Sequence, residues 1–195
     1  MKTAVIASCF LIGGSVLMKQ PATETRKPIS LPAVASNKAR RLTDLSKPVG
    51  AVRIVVDKSD YQLYVYDSKG WFATYPVVFG NSSLEDKRME GDRLTPEGSF
   101  TIANKRVHEK WSRYMGLNYP TAESLAKFKA RKQRGEIPSS ASPGGGVGIH
   151  GTWPHEDFVI DRYNNWTNGC VSLKNEDILD LYSYVPVGTP VTIRK

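Results

Sequence analysis

Cysteine is nearly absent: the 195 residues hold two, Cys9 and Cys170, and the first lies inside an apolar N-terminal run. That excludes a disulfide framework, and a domain of this length can instead bury an ordinary core. Histidine is almost as scarce, with His108, His150 and His155 the full set. A zinc peptidase built on His150, His155 and Cys170 would want a second-histidine-plus-acid motif, and the sequence lacks one. Long apolar runs are missing too. The longest, residues 3–18, is 16 residues of uncharged and mostly apolar sequence, short of the ~20 that span a bilayer comfortably. A basic face is also missing where nucleic acid would require one. The formal net charge is +8, yet residues 1–50 hold eight Lys/Arg against two Asp/Glu, and residues 51–195 hold nineteen against seventeen. The domain is nearly neutral, which argues against nucleic-acid binding. No internal repeat is present.

What is there divides into three parts. Residues 1–18, with Lys2 ahead of the apolar run, read as a signal peptide or a short signal anchor. Export to the periplasm or cell envelope follows, with membrane attachment through residues 3–18 if the segment is retained. Ala33-Val34-Ala35 offers a cleavage signature, but far beyond the apolar run. Ile6-Ala7-Ser8-Cys9 superficially resembles a lipoprotein box. Too little apolar sequence precedes it, and Cys9 reads better as a small apolar residue of the run. Residues 19–50, rich in Pro, Ser, Ala, Lys and Arg, read as a flexible basic linker suited to anionic lipid or wall. Order is expected over 51–195. AVRIVVD and YQLYVYD predict a hairpin around Lys58-Ser59-Asp60, and WFATYPVVFG a third strand over 71–80. GSFTIAN, VGIHG and TPVTIRK add further strands, at 98–104, 147–151 and 189–195. Helices are predicted over 121–135, with Thr121 as N-cap, and over 175–185, with Asn175 as N-cap. The class is mainly β with a few peripheral α-helices.

An exported chain with one unpaired thiol raises a chemical question. Cys170 follows Gly169, which lets the backbone turn tightly, so that main-chain N–H groups including that of Cys170 can face a developing oxyanion. A thiol near its ordinary pKa is a poor nucleophile until a neighbour takes its proton, and a histidine is the usual neighbour. His150, at the end of an apolar strand, is the candidate. From these two residues alone, a buried thiol and a satisfied core histidine remain the more ordinary reading.

The blocks around them decide more. IHGT at 149–152 and TNGCVSLKN at 167–175, with sixteen residues between His150 and Thr167, resemble the signature of the L,D-transpeptidases, the YkuD-type catalytic domains. GDRLTPEGSF at 91–100 resembles a second family block, and VRIVVDKSDYQLYVYD its opening strands. The resemblance spans about residues 51–194 and implies a β-sandwich or barrel-like domain. It further implies that the Cys170 thiolate attacks the carbonyl between the third residue of a peptidoglycan stem peptide and a terminal D-alanine. His150 would serve as general base and then acid, and a backbone carbonyl, that of Gly151 or a neighbour, would orient the imidazole. A thioester is then resolved by an amine, or by water in a hydrolase-like branch that cleaves stem peptides or wall-linked protein. Neither cofactor nor metal is implied, and oligomeric state is left open. Asn168 stands where the family's commonest form has a second histidine, and Ser172 where it has arginine, which puts donor and acceptor preference in doubt. Thr167, Asn168, Ser172, Trp153, Trp166, Tyr163, Tyr119 and His155 are candidate groove residues, with turn-making, packing or solvated loop positions as their bland readings. His108 reads as surface. Lys127, Lys129, Arg131, Lys132 and Arg134 read as a solvated helix face before a wall-binding one. The non-enzyme alternative is an inactive cell-wall-binding module.

Overall fold

Alternation builds the first three strands. A computed structural model of the chain describes residues 47–195; the expected signal segment and most of the expected linker lie outside the described residues. β1 (Arg53–Asp57) and β2 (Gln62–Asp67) turn Ile54, Val56, Leu63 and Val65 inward and pair antiparallel, as the hairpin pattern predicts. The turn between them is held by Asp57, whose carboxylate accepts from the Ser59 hydroxyl and the Asp60 amide. Lys58 is not a solvated turn residue. It is buried, 2.7 Å from the Glu97 carboxylate, and donates to the Glu85 and Thr95 carbonyls. The chain before β1 already pairs at Val49, which donates to Asp67 and accepts from Ser68.

β3 (Gly70–Pro76) ends four residues earlier than the pattern over 71–80 predicts. The residues after it keep extended backbone but change partner: Val78 and Ser172 exchange two hydrogen bonds of 3.0 and 2.9 Å. The remaining strands are β4 (Gly98–His108), β5 (Ser112–Leu117), β6 (Gly148–His150), β7 (Val171–Ser172) and β8 (Pro190–Arg194). Together they form one sheet in the order β3-β2-β1-β8-β4-β5-β6-β7. β1 runs parallel to β8 and β6 parallel to β7; the other pairs are antiparallel. β4 serves both halves, pairing with β8 through Gly98–Thr101 and with β5 from Ile102 onward, and its register shifts between Ile102 and Asn104. That bulge bends the sheet, and the Val78–Ser172 bridge brings its two ends together. The expected mainly β, sandwich-to-barrel architecture is therefore present as one curled sheet.

Three helices flank it: α1 (Ala122–Gln133), α2 (Phe158–Asp161) and α3 (Asn175–Tyr184). Thr121 caps α1 as predicted, accepting from the Ser124 amide at 3.2 Å. The cap of α3 differs. Lys174 occupies the N-cap, and Asp157 reaches in from the loop before α2 to accept the Asn175 amide at 2.9 Å. Asn175 turns its carboxamide to Thr152 and Asp157 instead. Ile178 and Leu181 of α3 join Tyr75, Phe79, Met115, Ile149, Val171 and Leu173 in the core, each such side chain contributing roughly 1.5–3 kcal/mol. The basic face of α1 is solvated only in part: Lys129 and Arg134 are exposed, while the other three basic residues are engaged. Arg131 and Lys127 pair with Asp86, and Lys132 donates to the Ala141 carbonyl.

Candidate active site

β6 and β7 lie side by side and parallel, with Ile149 opposite Val171 and His150 opposite Ser172. Cys170 precedes Val171, so by the two-residue period its side chain shares a face with Ser172 and hence with His150. Tyr114 ties the two together independently. It is the β5 partner of His150, with rings 6.3 Å apart, and its hydroxyl donates to the Gly146 carbonyl at 2.9 Å. The Cys170 thiol points at that same carbonyl, 3.6 Å away.

The turn that carries the thiol is fixed from several directions. Thr167 is buried; its hydroxyl donates to the Cys170 carbonyl at 2.8 Å and accepts from the Gly169 amide at 3.1 Å. The Trp166 and Thr167 amides both donate to the Phe79 carbonyl. Gly169 has φ of +120°, and a Cβ there would stand 2.8 Å from the Leu94 carbonyl. Only glycine satisfies both constraints.

His150 is fully buried, with Nδ1 2.7 Å from the Gly151 carbonyl. The Ser172 hydroxyl reaches that carbonyl at 3.4 Å. A Cβ on Gly151 would lie 2.5 Å from Asn175 Oδ1 and 2.8 Å from the Trp111 carbonyl, so this corner admits no side chain. Trp111 stacks on the imidazole at 4.4 Å and 22°, Trp166 meets it edge-on at 5.5 Å, and His108 stacks on the other side of Trp111 at 4.3 Å.

These surroundings are dry, and the titrating groups respond. Burial pulls the His150 pKa down to about 4, with the Gly151 hydrogen bond opposing and His108 adding slightly to the fall. Burial pushes the Cys170 thiol up, while the Gly148 backbone and the charge of Lys87 pull it back. Lys87 is itself buried and paired with Asp92 at 2.7 Å. Burial works to raise the Asp92 carboxyl, yet hydrogen bonds from Lys87 and from the Met89, Leu94 and Arg88 amides hold it below its ordinary value. At neutral pH both groups are thus uncharged, a protonated thiol and an unprotonated imidazole.

The other candidates scatter. Trp166 and Trp153 are half-buried around Trp111, with Lys110 Nζ 5.3 Å from the Trp153 ring. Asn168 is exposed at the tip of the turn, whereas Thr167 and Ser172 are buried. Tyr163 is exposed and packs against Tyr61. Tyr119 sits apart, donating to the Pro143 carbonyl and packing with Phe100. His155 is exposed in the loop before α2 with left-handed backbone. Among the described residues no three His, Cys, Asp or Glu side chains converge as metal ligands would. Trp111, Tyr114 and His108, which complete the site, come from the β4–β5 hairpin. The only sequence signal for them is an aromatic stretch in a region with no strand alternation.

Residues 51–193 match the family model described as the L,D-transpeptidase catalytic domain. A probable L,D-transpeptidase, YcfS, of Escherichia coli strain K12 is 31% identical over 157 residues, covering 72% of this chain and 43% of that protein. A putative L,D-transpeptidase, YqjB, of Bacillus subtilis strain 168 is 25% identical, covering 72% of this chain and 69% of that protein. The fold is similar to the crystal structure of the helical cell shape determining protein Pgp2 from Campylobacter jejuni, with a TM-score of 0.53 at 21% identity over 74% of this chain and 48% of that one. The chain thus spans less than half the length of the E. coli relative and of Pgp2.

Proposed function

The chain belongs to the L,D-transpeptidase catalytic-domain family, and from that premise we propose that it is an exported cysteine acyltransferase acting on peptidoglycan stem peptides. Export rests on the apolar segment at 3–18, and the basic residues that follow it suit retention at the envelope. The observation that carries the chemistry is the contact of His150 Nδ1 with the Gly151 carbonyl. A carbonyl only accepts, so Nδ1 holds the ring proton and Nε2 keeps its lone pair. A neutral base with a free lone pair, on the face shared with Cys170, is what a protonated thiol needs.

In the first half-reaction the Cys170 sulfur attacks the donor carbonyl as its proton passes to His150 Nε2. The negative oxygen that develops is received by the main-chain N–H of Cys170; the Gly169 N–H is already given to the Thr167 hydroxyl, which holds the turn in place. The imidazolium returns its proton to the leaving D-alanine amine, and the C–N bond breaks to leave a thioester. An acceptor amine then gives up a proton to His150, attacks the thioester and releases the thiol. Water in place of the amine makes the same acyl-enzyme a hydrolase.

The test is incubation of the protein with purified sacculi and defined tetrapeptide muropeptides, with products read by mass. The expected product is a 3→3 cross-linked dimer with release of D-alanine. D-alanine or wall-linked protein released without cross-links would assign hydrolysis. Cys170→Ala should give no product; a Cys170→Ala protein that turns over as fast as wild type would remove the thiol from the reaction.

A further inference from the structure

Against the Thr167 carbonyl, three residues before Cys170, opens a cleft of about 460 Å³ to which Arg93, Tyr61, Tyr163, Asn164 and Asn165 contribute. That is room for part of a peptide. Arg93 is the single charged residue lining it. Its Nε donates to the Thr167 carbonyl at 3.3 Å, and among the described residues it pairs with no carboxylate. The Nη1/Nη2 edge of the guanidinium is left without a partner there.

The cleft is built rather than incidental. Tyr61, Arg93 and Tyr163 have φ of 55°, 58° and 52°, three of the five non-glycine residues with left-handed backbone among those described. Such strain persists only where surrounding structure imposes it, and it gathers at binding sites. Gly80 makes room for it: a Cβ there would fall 1.8 Å from the Arg93 carbonyl, so only glycine lets that backbone lie so close. The floor is oriented as well. Asn165 Oδ1 accepts from the Phe79 amide at 2.7 Å, and its Nδ2 donates to the Tyr61 hydroxyl at 3.0 Å. Having accepted, that hydroxyl has its own proton left to give.

We infer that this cleft receives a free carboxylate of the stem peptide, taken end-on by the Nη1/Nη2 edge of Arg93 with the Tyr61 hydroxyl beside it, so that Arg93 determines specificity. The inference rests on the stem-peptide reading of the function. One guanidinium among neutral donors matches one negative charge, and its planar edge matches a planar carboxylate. A phosphate dianion would want a second cation that the cleft does not supply. The site is also wired to the thiol. A ligand on Arg93 lies one hydrogen bond from the Thr167 carbonyl, and the Thr167 hydroxyl holds the Cys170 carbonyl.

The test uses the full chain carrying Cys170→Ala, so that binding is read without turnover. Disaccharide-tetrapeptide muropeptides are titrated calorimetrically in two pairs, with the diaminopimelate carboxyl free or amidated and with the glutamate α-carboxyl free or amidated. Amidation of one of the two is expected to weaken binding about tenfold, and the pair that responds names the carboxylate. Adding Arg93→Gln should erase the discrimination, and Arg93→Lys should retain part of it; thermal midpoints of both variants report on folding. A purely structural Arg93 would weaken free and amidated ligands alike. That outcome, absence of muropeptide binding, or inorganic phosphate competing better than acetate would overturn the inference. Turnover of the Cys170-intact protein on sacculi is read separately. Product without carboxylate discrimination removes this site and leaves the acyltransfer standing, whereas discrimination without product does the reverse.

Discussion

A buried histidine whose Nδ1 faces a carbonyl can act only through its other nitrogen, and its desolvation decides when. With the His150 pKa near 4, the imidazole is already neutral at pH 5, where an exposed histidine would be mostly charged. The acid limb of kcat/KM is therefore expected near pH 4, and a limb centred near 6.5 in a pH–rate series would contradict the assignment. His150→Ala should lower turnover by about 10²–10⁴-fold with the fold intact by circular dichroism. Gly151→Ala is a harsher test of orientation. The added carbon meets Asn175 and the Trp111 carbonyl at under 3 Å, so the Gly151 carbonyl must shift, and a displacement near 1 Å is worth about 100-fold in rate. Steady-state assays would show this as a fall in kcat with little change in KM. Cys170 and His150 were legible in the sequence through the blocks around them, IHGT and TNGCVSLKN, since a lone thiol after glycine and a histidine closing an apolar strand left a core reading open. Trp111 and Tyr114 were not, since ring stacking across β5 and β6 depends on a register that no spacing encodes. Thr167 and Ser172 were legible as neighbours of the thiol. That their hydroxyls turn inward depends on burial.

Among the elements, α3 carries the least comfortable charge. Burial first, then the neighbouring Glu176, raises Asp177 to about 7, with Asp157 and Asp180 adding to the rise and Lys174 opposing it. Folding therefore favours the protonated acid. Below its unfolded value of 3.8 that contribution is complete, and it is lost as pH rises toward 7. His150 works in the opposite sense. Its folded value near 4 lies below the ordinary 6.5, so its stabilising effect is complete above 6.5 and is lost as pH falls toward 4, on the order of 3 kcal/mol in all. The windows overlap, and urea midpoints between pH 4 and 6.5 should be nearly flat. Asp177→Asn is expected to raise stability at pH 7 by about 1 kcal/mol or more and to expose the His150 slope on the acid side. A variant as flat as wild type would show that neither group titrates as its burial requires. The same helix marks how far pattern reading goes. Its apolar spacing showed its existence and extent, but its cap comes from Asp157, eighteen residues earlier in sequence. β5 went unseen because Tyr114, Met115, Gly116 and Leu117 are all buried and leave no alternation to read. β7, two residues long, is a strand only because β6 and Val78 lie beside it.

At the scale of the whole molecule the question is what keeps a curled sheet in register at the point where its ends meet. The Val78–Ser172 bridge lies there, and the segment that follows it, residues 80–94, presses on the thiol turn through the close approaches of Gly80 and of the Leu94 carbonyl to Gly169. Asp92 anchors that segment, accepting from Lys87 and from the Arg88, Met89 and Leu94 amides. The block GDRLTPEG was recognisable in the sequence, but its physical work was not: Asp92 and Glu97 neutralise the buried Lys87 and Lys58. Replacing Asp92 with Ala leaves a buried cation unpaired and should lower stability by about 3–5 kcal/mol. Lys87→Met with Asp92→Leu removes both charges, and urea denaturation should then recover part of the loss, the Arg88, Met89 and Leu94 amides still lacking their acceptor. Activity should not recover with it. The charge of Lys87 opposes the burial that raises the Cys170 thiol, so its removal leaves a thiol harder to ionise beneath an otherwise intact fold. The double variant is expected to be more stable in urea than Asp92→Ala while its acylation rate falls and its alkaline limb moves to higher pH. Recovery of rate together with stability would reduce the Lys87–Asp92 pair to packing, and the field under the thiol to a bystander.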